Sequence, residues 1–208
     1  YNNPNGMRWS PNLGYLSMAR HRLNLTIRAE CVSRRVLFEG NKAVGVEVES
    51  AGEIFNVFGD TTILSAGAVA SPQLLMLSGV GPADQLKALG VNVVKDHPGI
   101  GQNLRDHPIM SVLWSVKDTH LQDPGAPRSQ VAARYTAAGS DIRNDMKLAF
   151  NSFAIADSRI EHRKDSSPAG HEADINIPVG VKISVSLQLA ESSGHMKLVS
   201  NDIHTQPE

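Results

Sequence analysis

The chain has 208 residues, 41% of them hydrophobic and 20% charged, enough to bury one core or two small ones. A formal net charge of -1 with no block of like charges leaves no electrostatic footprint for nucleic acid or an anionic membrane surface, and no apolar run reaches the roughly 20 residues of a membrane span. The single cysteine, Cys31, excludes an internal disulfide and a cysteine zinc site; it reads as a small buried hydrophobe and leaves the redox compartment open, with a soluble, cytoplasmic placement favoured.

The stretch to about Ser17 is rich in Asn, Pro and Gly and reads as loop, with a short helix after it. It opens Tyr-Asn-Asn-Pro-Asn-Gly, without an initiator Met, a basic stretch or an apolar leader core, and is expected to be internal to a longer sequence. Leu23–Ala29 alternates apolar and polar residues and predicts a strand. Val32–Phe38 and Ala43–Glu49 do the same, joined by the turn-forming Glu39-Gly40-Asn41-Lys42. Glu53–Phe58 follows the Ser50-Ala51-Gly52 turn and completes a three-stranded antiparallel meander. Thr61–Ala66, β-branched and apolar, predicts a buried strand entering a tight turn at Gly67. Ser71 is the expected N-cap and Pro72 the expected first residue of a helix with Leu74, Leu75 and Leu77 on its apolar face and Gly79 as its stop. Pro82–Leu89 predicts a second short helix ended by Gly90. Beyond Pro108, Ile109–Val116 is strand-like, Asp118–Ser129 a loop, Gln130–Ala138 a short helix, and Met146–Ala156, Asp174–Leu189 and His195–Ser200 strands. Asp157–Glu172, charged and aperiodic, reads as an exposed loop. The fold class expected from this mixture is α+β (mixed α/β).

Chemistry concentrates where the strand at Thr61 meets the helix. Gly67 has no Cβ and lies among small alanines, so the backbone there can approach a ligand closely. The helix that follows presents unpaired amides and the positive end of its dipole, which suit an anion such as a pyrophosphate. On physics alone, a purely structural turn is the simpler account.

Two strings favour the ligand. Ser65-Ala-Gly-Ala-Val-Ala-Ser-Pro-Gln-Leu-Leu-Met-Leu-Ser-Gly-Val-Gly-Pro82 and Gly99-Ile-Gly-Gln-Asn-Leu-Arg-Asp-His-Pro108 resemble the second signature and the following G-x-G-x-N-L-x-D-H stretch of the flavin-dependent GMC (glucose-methanol-choline) oxidoreductases. Leu23–Ile27, Val32 and Val44-Gly-Val-Glu47 stand in the order of that family's flavin-domain middle, and Ser193–Ser200 with Pro207 is similar to its late substrate-domain strand. The match is weak between about Lys117 and Glu191. The resemblance implies the middle part of an FAD/NAD(P)-binding-type domain over residues 1–108 and part of an antiparallel substrate-binding domain over 109–208. It implies FAD as cofactor, a small-molecule alcohol as substrate, and hydride transfer from a CH–OH group to the flavin, as in choline dehydrogenase-like and aryl-alcohol-oxidase-like members. It places Val32 against the adenine through its main chain and Ala66 and Gly67 against the cofactor, with Asn103, Asp106 and His107 in the segment that passes the flavin. Asp106 can equally pin a turn.

The departures matter as much. Gly99-Ile-Gly101 does not complete G-x-G-x-x-G, and no such fingerprint occurs elsewhere in the sequence. Of the eight histidines only His107 lies in a cofactor-associated string; the others read as surface or turn residues, so no catalytic residue and no metal ligand is assigned. H-E-x-x-H, G-x-S-x-G and Walker A runs are absent. The expectation is an internal part of such an enzyme, inactive alone. Its alternatives are a non-catalytic remnant or binding module of the same fold, or one piece of an enzyme assembled from separate chains, whose partners would be the missing parts.

Overall fold

The computed structural model describes residues 7–115, 129–155 and 179–208. A π-helical turn at Asn12–Leu16 runs into α1 (Ser17–Ala19), so winding begins inside the stretch expected to be loop. Strands β1 (Val32–Glu39), β2 (Lys42–Ser50) and β3 (Glu53–Phe58) follow, then α2 (Gly67–Leu77), β4 (Val80–Gly81), α3 (Ala83–Ala88), β5 (Lys95–Asp96) and β6 (Gln102–Leu104). The later elements are β7 (Ile109–Ser115), β8 (Ser129–Tyr135), β9 (Met146–Ile155), β10 (Val179–Leu187) and β11 (Gly194–His195). Helices and antiparallel sheets mix as the fold class requires. The chain divides into two compact units, one of Arg22–Asp106 with Ser192–Glu208, the other of the described residues within Tyr1–His21 and His107–Glu191.

In the unit built on Arg22–Asp106, β1, β2 and β3 form the antiparallel meander. Its turns work because Gly40 at φ 59, and Ala51 and Gly52 at φ 51 and 82, take the left-handed conformation that tight connections need. Gly45 is required for a different reason: a Cβ there would lie 2.3 Å from the Val57 carbonyl oxygen. The core gathers Met76, Leu77, Leu86, Met196 and Leu198, with Met76 and Leu86 fully buried. Ser78 joins α2 to the sheet: it accepts from the Val36 amide at 2.7 Å and donates to the Leu74 carbonyl at 2.5 Å. Gly79 (φ +90) and Gly90 (φ +72) end α2 and α3 as expected.

Several local expectations fail in this unit, and tertiary partners explain them. Leu23–Ala29 forms turns and irregular backbone; alternation alone makes no strand where no neighbour pairs with it, and Arg28 instead stacks on Phe55, 4.5 Å from the ring centroid. Thr61–Ala66 is likewise unpaired among the described strands, and Ile63 is 82% exposed, not buried. Helix α2 starts at Gly67, ahead of the expected cap. Ser71 reaches back from inside it to accept from the Ala66 amide at 3.0 Å, and Pro72 is interior. Of the last predicted strand, His195–Ser200, only His195 lies in a strand, β11 with Gly194, and the side chains of Met196 and Leu198 go into the core. Cys31 is half-buried, its thiol on the Ala29 carbonyl at 3.3 Å.

The other unit is a four-stranded antiparallel sheet in the order β7-β10-β9-β8. Residues 130–135, expected to be helical, are in β8: Val131 and Ala133 stand opposite Phe150 and Leu148 of β9, and cross-strand pairing overrides a weak helical preference. Register puts Met110, Val112 and Trp114 of β7, Val185, Ile183 and Val181 of β10, Leu148 and Phe150 of β9, and Val131 of β8 on one face. The opposite face carries Ser111 and Ser184, whose hydroxyls are 3.0 Å apart, with Lys147 and Arg134. Asp145 closes the β8–β9 connection by accepting from the Ala137 amide at 2.9 Å. The loop expected at 118–129, except Ser129, which opens β8, the loop expected at 157–172 and the beginning of the strand expected at 174–189 lie outside the described residues.

Candidate functional site

Two cavities in the Arg22–Asp106 unit share one wall. The first, about 770 Å³, lies between the start of β1, the Thr61–Ala66 segment and α2, and none of its lining residues is charged. Val32, Ala66, Ala70 and Gln73 line it. Its lining combines uncharged polar groups with apolar side chains, among them Phe58, Ile63 and Leu74. Gln73, 7% exposed, is fixed by donating from Nε2 to the carbonyls of Ile203 (3.4 Å) and Thr205 (3.0 Å).

The second cavity, about 480 Å³, is built on the Gly99–Arg105 loop, with Ala68 and Pro72 of α2 and with Met196. Gly101 has φ +81 and Asn103 φ +61, two left-handed residues in one short loop. Arg105 Nε donates to Asn103 Oδ1 at 3.1 Å and fixes the direction of that amide. Ala66 and Ala70 thus face one cavity while Ala68 and Pro72 face the other, so the start of α2 separates them. Gly67, at φ +89, has open space where a Cβ would be.

Of the residues assigned from the sequence, Val32 and Ala66 meet in the first cavity, Gly67 begins the shared helix, and Asn103 lines the second. Asp106 ends the unit after that loop, and His107 opens the other unit. Met196 and Gln73 carried no local signal, since each acts through residues far along the chain. A charged cluster on the sheet was also missed. Arg34 pairs with Glu49 (2.5 Å) and Glu47 (3.4 Å), Arg35 with Glu47 (2.7 Å), and His204 Nε2 with Glu49 (3.3 Å). Alternation would put Arg34 and Arg35 on opposite faces; the irregular register between Ser33 and Arg35 turns both toward Glu47. The Arg34 hydrogen bond, then His204, holds the Glu49 carboxyl below its ordinary range, and Glu49 in turn raises Arg34. Among the described residues no group of three His, Cys, Asp or Glu side chains could hold a metal ion, and no helix is long and apolar enough to cross a membrane.

The sequence profile of the family described as GMC oxidoreductase matches residues 1–109, which contain β1 to β6, the helix shared by the cavities and the glycine loop. The chain belongs to the GMC oxidoreductase family. Among GMC relatives, human mitochondrial choline dehydrogenase is 53% identical over 103 residues, 49% of this chain and 17% of that protein. Oxygen-dependent choline dehydrogenase of Chromohalobacter salexigens is 31% identical over 98% of this chain and 38% of its own. Among solved structures, pyridoxine 4-oxidase from Mesorbium loti superposes with a TM-score of 0.75 at 26% identity, covering 98% of this chain and 38% of that one. The chain therefore spans between 17% and 38% of the length of these three GMC relatives.

Proposed function

We propose that this chain supplies the middle of the FAD-binding domain, and part of the substrate-binding domain, of an FAD-dependent alcohol oxidoreductase of the choline dehydrogenase type. The observation that carries the proposal is the shared wall: one helix start stands between an uncharged cavity and a glycine-loop cavity, which suits a long ligand with an aromatic group at each end and phosphates between. The residues fit FAD on that count. Val32 and Ala66 would hold the adenine side, Gly67 leaves room for close approach, and the unpaired first amides of α2 favour the pyrophosphate. Asn103, oriented by Arg105, and Asp106 and His107 after it would belong to the segment beside the flavin. Bound FAD supplies the two-electron acceptor for the hydride that leaves the alcohol carbon. This chain's own residues bind and orient; no histidine among them is assigned the alcohol proton, and without a G-x-G-x-x-G run the pyrophosphate has only the helix start. We therefore propose that the 208-residue chain binds FAD weakly and does not turn over alone.

Nuclear magnetic resonance titration of the chain tests the assignment. FAD is expected to shift the amide signals of Val32, Ala66 and Asn103 together, adenosine diphosphate those of Val32 and Ala66 only, and riboflavin that of Asn103 only. Shifts elsewhere, or none, would defeat the two-cavity reading. Choline-dependent dye reduction by the chain with FAD would refute the proposal that these residues are insufficient for catalysis.

A further inference from the structure

The glycine loop holds two left-handed residues, Gly101 at φ +81, a conformation glycine takes freely, and Asn103 at φ +61, where a side chain makes that backbone depend on its surroundings. Its own turns are local: the Ile100 amide donates to His97 (3.2 Å) and the Gln102 amide to Gly99 (3.2 Å). The long-range partners come from the segment that re-enters this unit at Ser192. Strand β11 pairs with β6, Gly194 opposite Leu104 and His195 opposite Gln102. The Met196 amide then donates to the Gly101 carbonyl at 2.7 Å. The Met196 carbonyl oxygen lies 2.6 Å from where a Gly101 Cβ would be, and the Met76 methyl 3.6 Å from it, so Gly101 occupies a slot that admits no side chain. Met196 itself is 5% exposed, packed with Met76 and Leu86.

We propose that Met196 is a positioning residue for the cofactor loop: its main chain clasps Gly101 while its side chain anchors the clasp in the core. The chain leaves this unit after Asp106 and returns at Ser192, and the β6–β11 pair and the clasp join the returning segment to the loop that walls the second cavity. The proposal rests on the FAD reading above for the identity of the ligand, and on the loop geometry for the clasp.

The test uses the 208-residue chain with Gly101→Ala, Met196→Ala, Met196→Leu and, as a control at a buried site outside the cluster that holds Met196, Val48→Ala. Amide hydrogen exchange over residues 99–106 is expected to accelerate at least about tenfold in Gly101→Ala and Met196→Ala, and to stay within about threefold of wild type in Met196→Leu. Val48→Ala is expected to lower the melting temperature yet leave loop exchange within about threefold. Added FAD should move the Asn103 and Arg105 amide signals in wild type and Met196→Leu and not in Met196→Ala. Equal loop opening in Val48→Ala, or an unchanged FAD response in a loop-opened variant, overturns the proposal. A wild-type chain whose signals FAD does not move defeats the FAD reading instead, and hydrogen exchange still decides whether the clasp exists.

Discussion

The two units bury different things. The unit carrying the cavities closes a small core around Met76 and Leu86, both fully buried, and uses glycine wherever backbone must pass close to backbone. The four-stranded sheet carries a continuous apolar face that stays open to solvent in this chain, with Met110 79%, Val131 59% and Phe150 42% exposed. Its buried polar side chains include Asp145 and Ser186. Apart from His107 and Pro108 just past its edge, the sequence strings that resemble the GMC family fall in the first unit, where close approach constrains residue identity. A sheet face asks only for alternation, which many sequences satisfy. Motif density therefore follows steric constraint.

The largest effect that separates the units is core truncation. Leu86→Ala, which empties a fully buried site, is expected to cost about 2–5 kcal/mol, whereas Val131→Ala on the open face should cost under about 1 kcal/mol. Thermal unfolding of both variants checks it; comparable losses would mean that the sheet face is as tightly packed as the core. Next comes backbone strain. Gly79 has φ +90 and a Cβ there would meet the Asn92 carbonyl oxygen at 2.3 Å, so Gly79→Ala should cost about 1–3 kcal/mol. Gly139, also left-handed at φ +80 but with open space around it, lies in the sheet unit, and Gly139→Ala should cost about 1–2 kcal/mol from the left-handed backbone alone, less than Gly79→Ala. Urea midpoints that rank the two glycines the other way would break the link between steric crowding and motif density.

What the sequence revealed follows the same division. The meander was legible because hairpins are local: alternation, with Gly40 and Gly52 at the turns, fixes them within a few residues. The ends of α2 and α3 were legible for the same reason, through Gly79 and Gly90. Leu23–Ala29 and Thr61–Ala66 misled because a strand is made by its neighbour, and none of the described strands pairs with either. Ser129–Tyr135 shows the converse, an ambiguous run that becomes a strand because β9 stands beside it. In the candidate site, Gly67, Ala66 and Asn103 were visible as motif positions, but the Met196 clasp was not, since Gly101 and Met196 are separated by the whole 107–191 segment.

The smallest effect expected is also the one specific to the sheet unit. Asp145 is 4% exposed, and hydrogen bonds from the Ser140 hydroxyl and then the Ala137 amide hold its carboxyl below the ordinary aspartate range. Because the folded-state value is the lower one, the carboxylate stabilises the fold fully above the unfolded value, about 3.9, and that contribution disappears as pH falls from there through the folded value. Asp145→Asn should therefore be less stable than wild type at pH 7, with the difference narrowing below about pH 4. Hydrogen exchange across residues 136–146 at both pH values reads it locally. A difference that stays constant with pH would assign the role of Asp145 to shape alone, since an amide oxygen can still accept from Ala137 but carries no charge to lose.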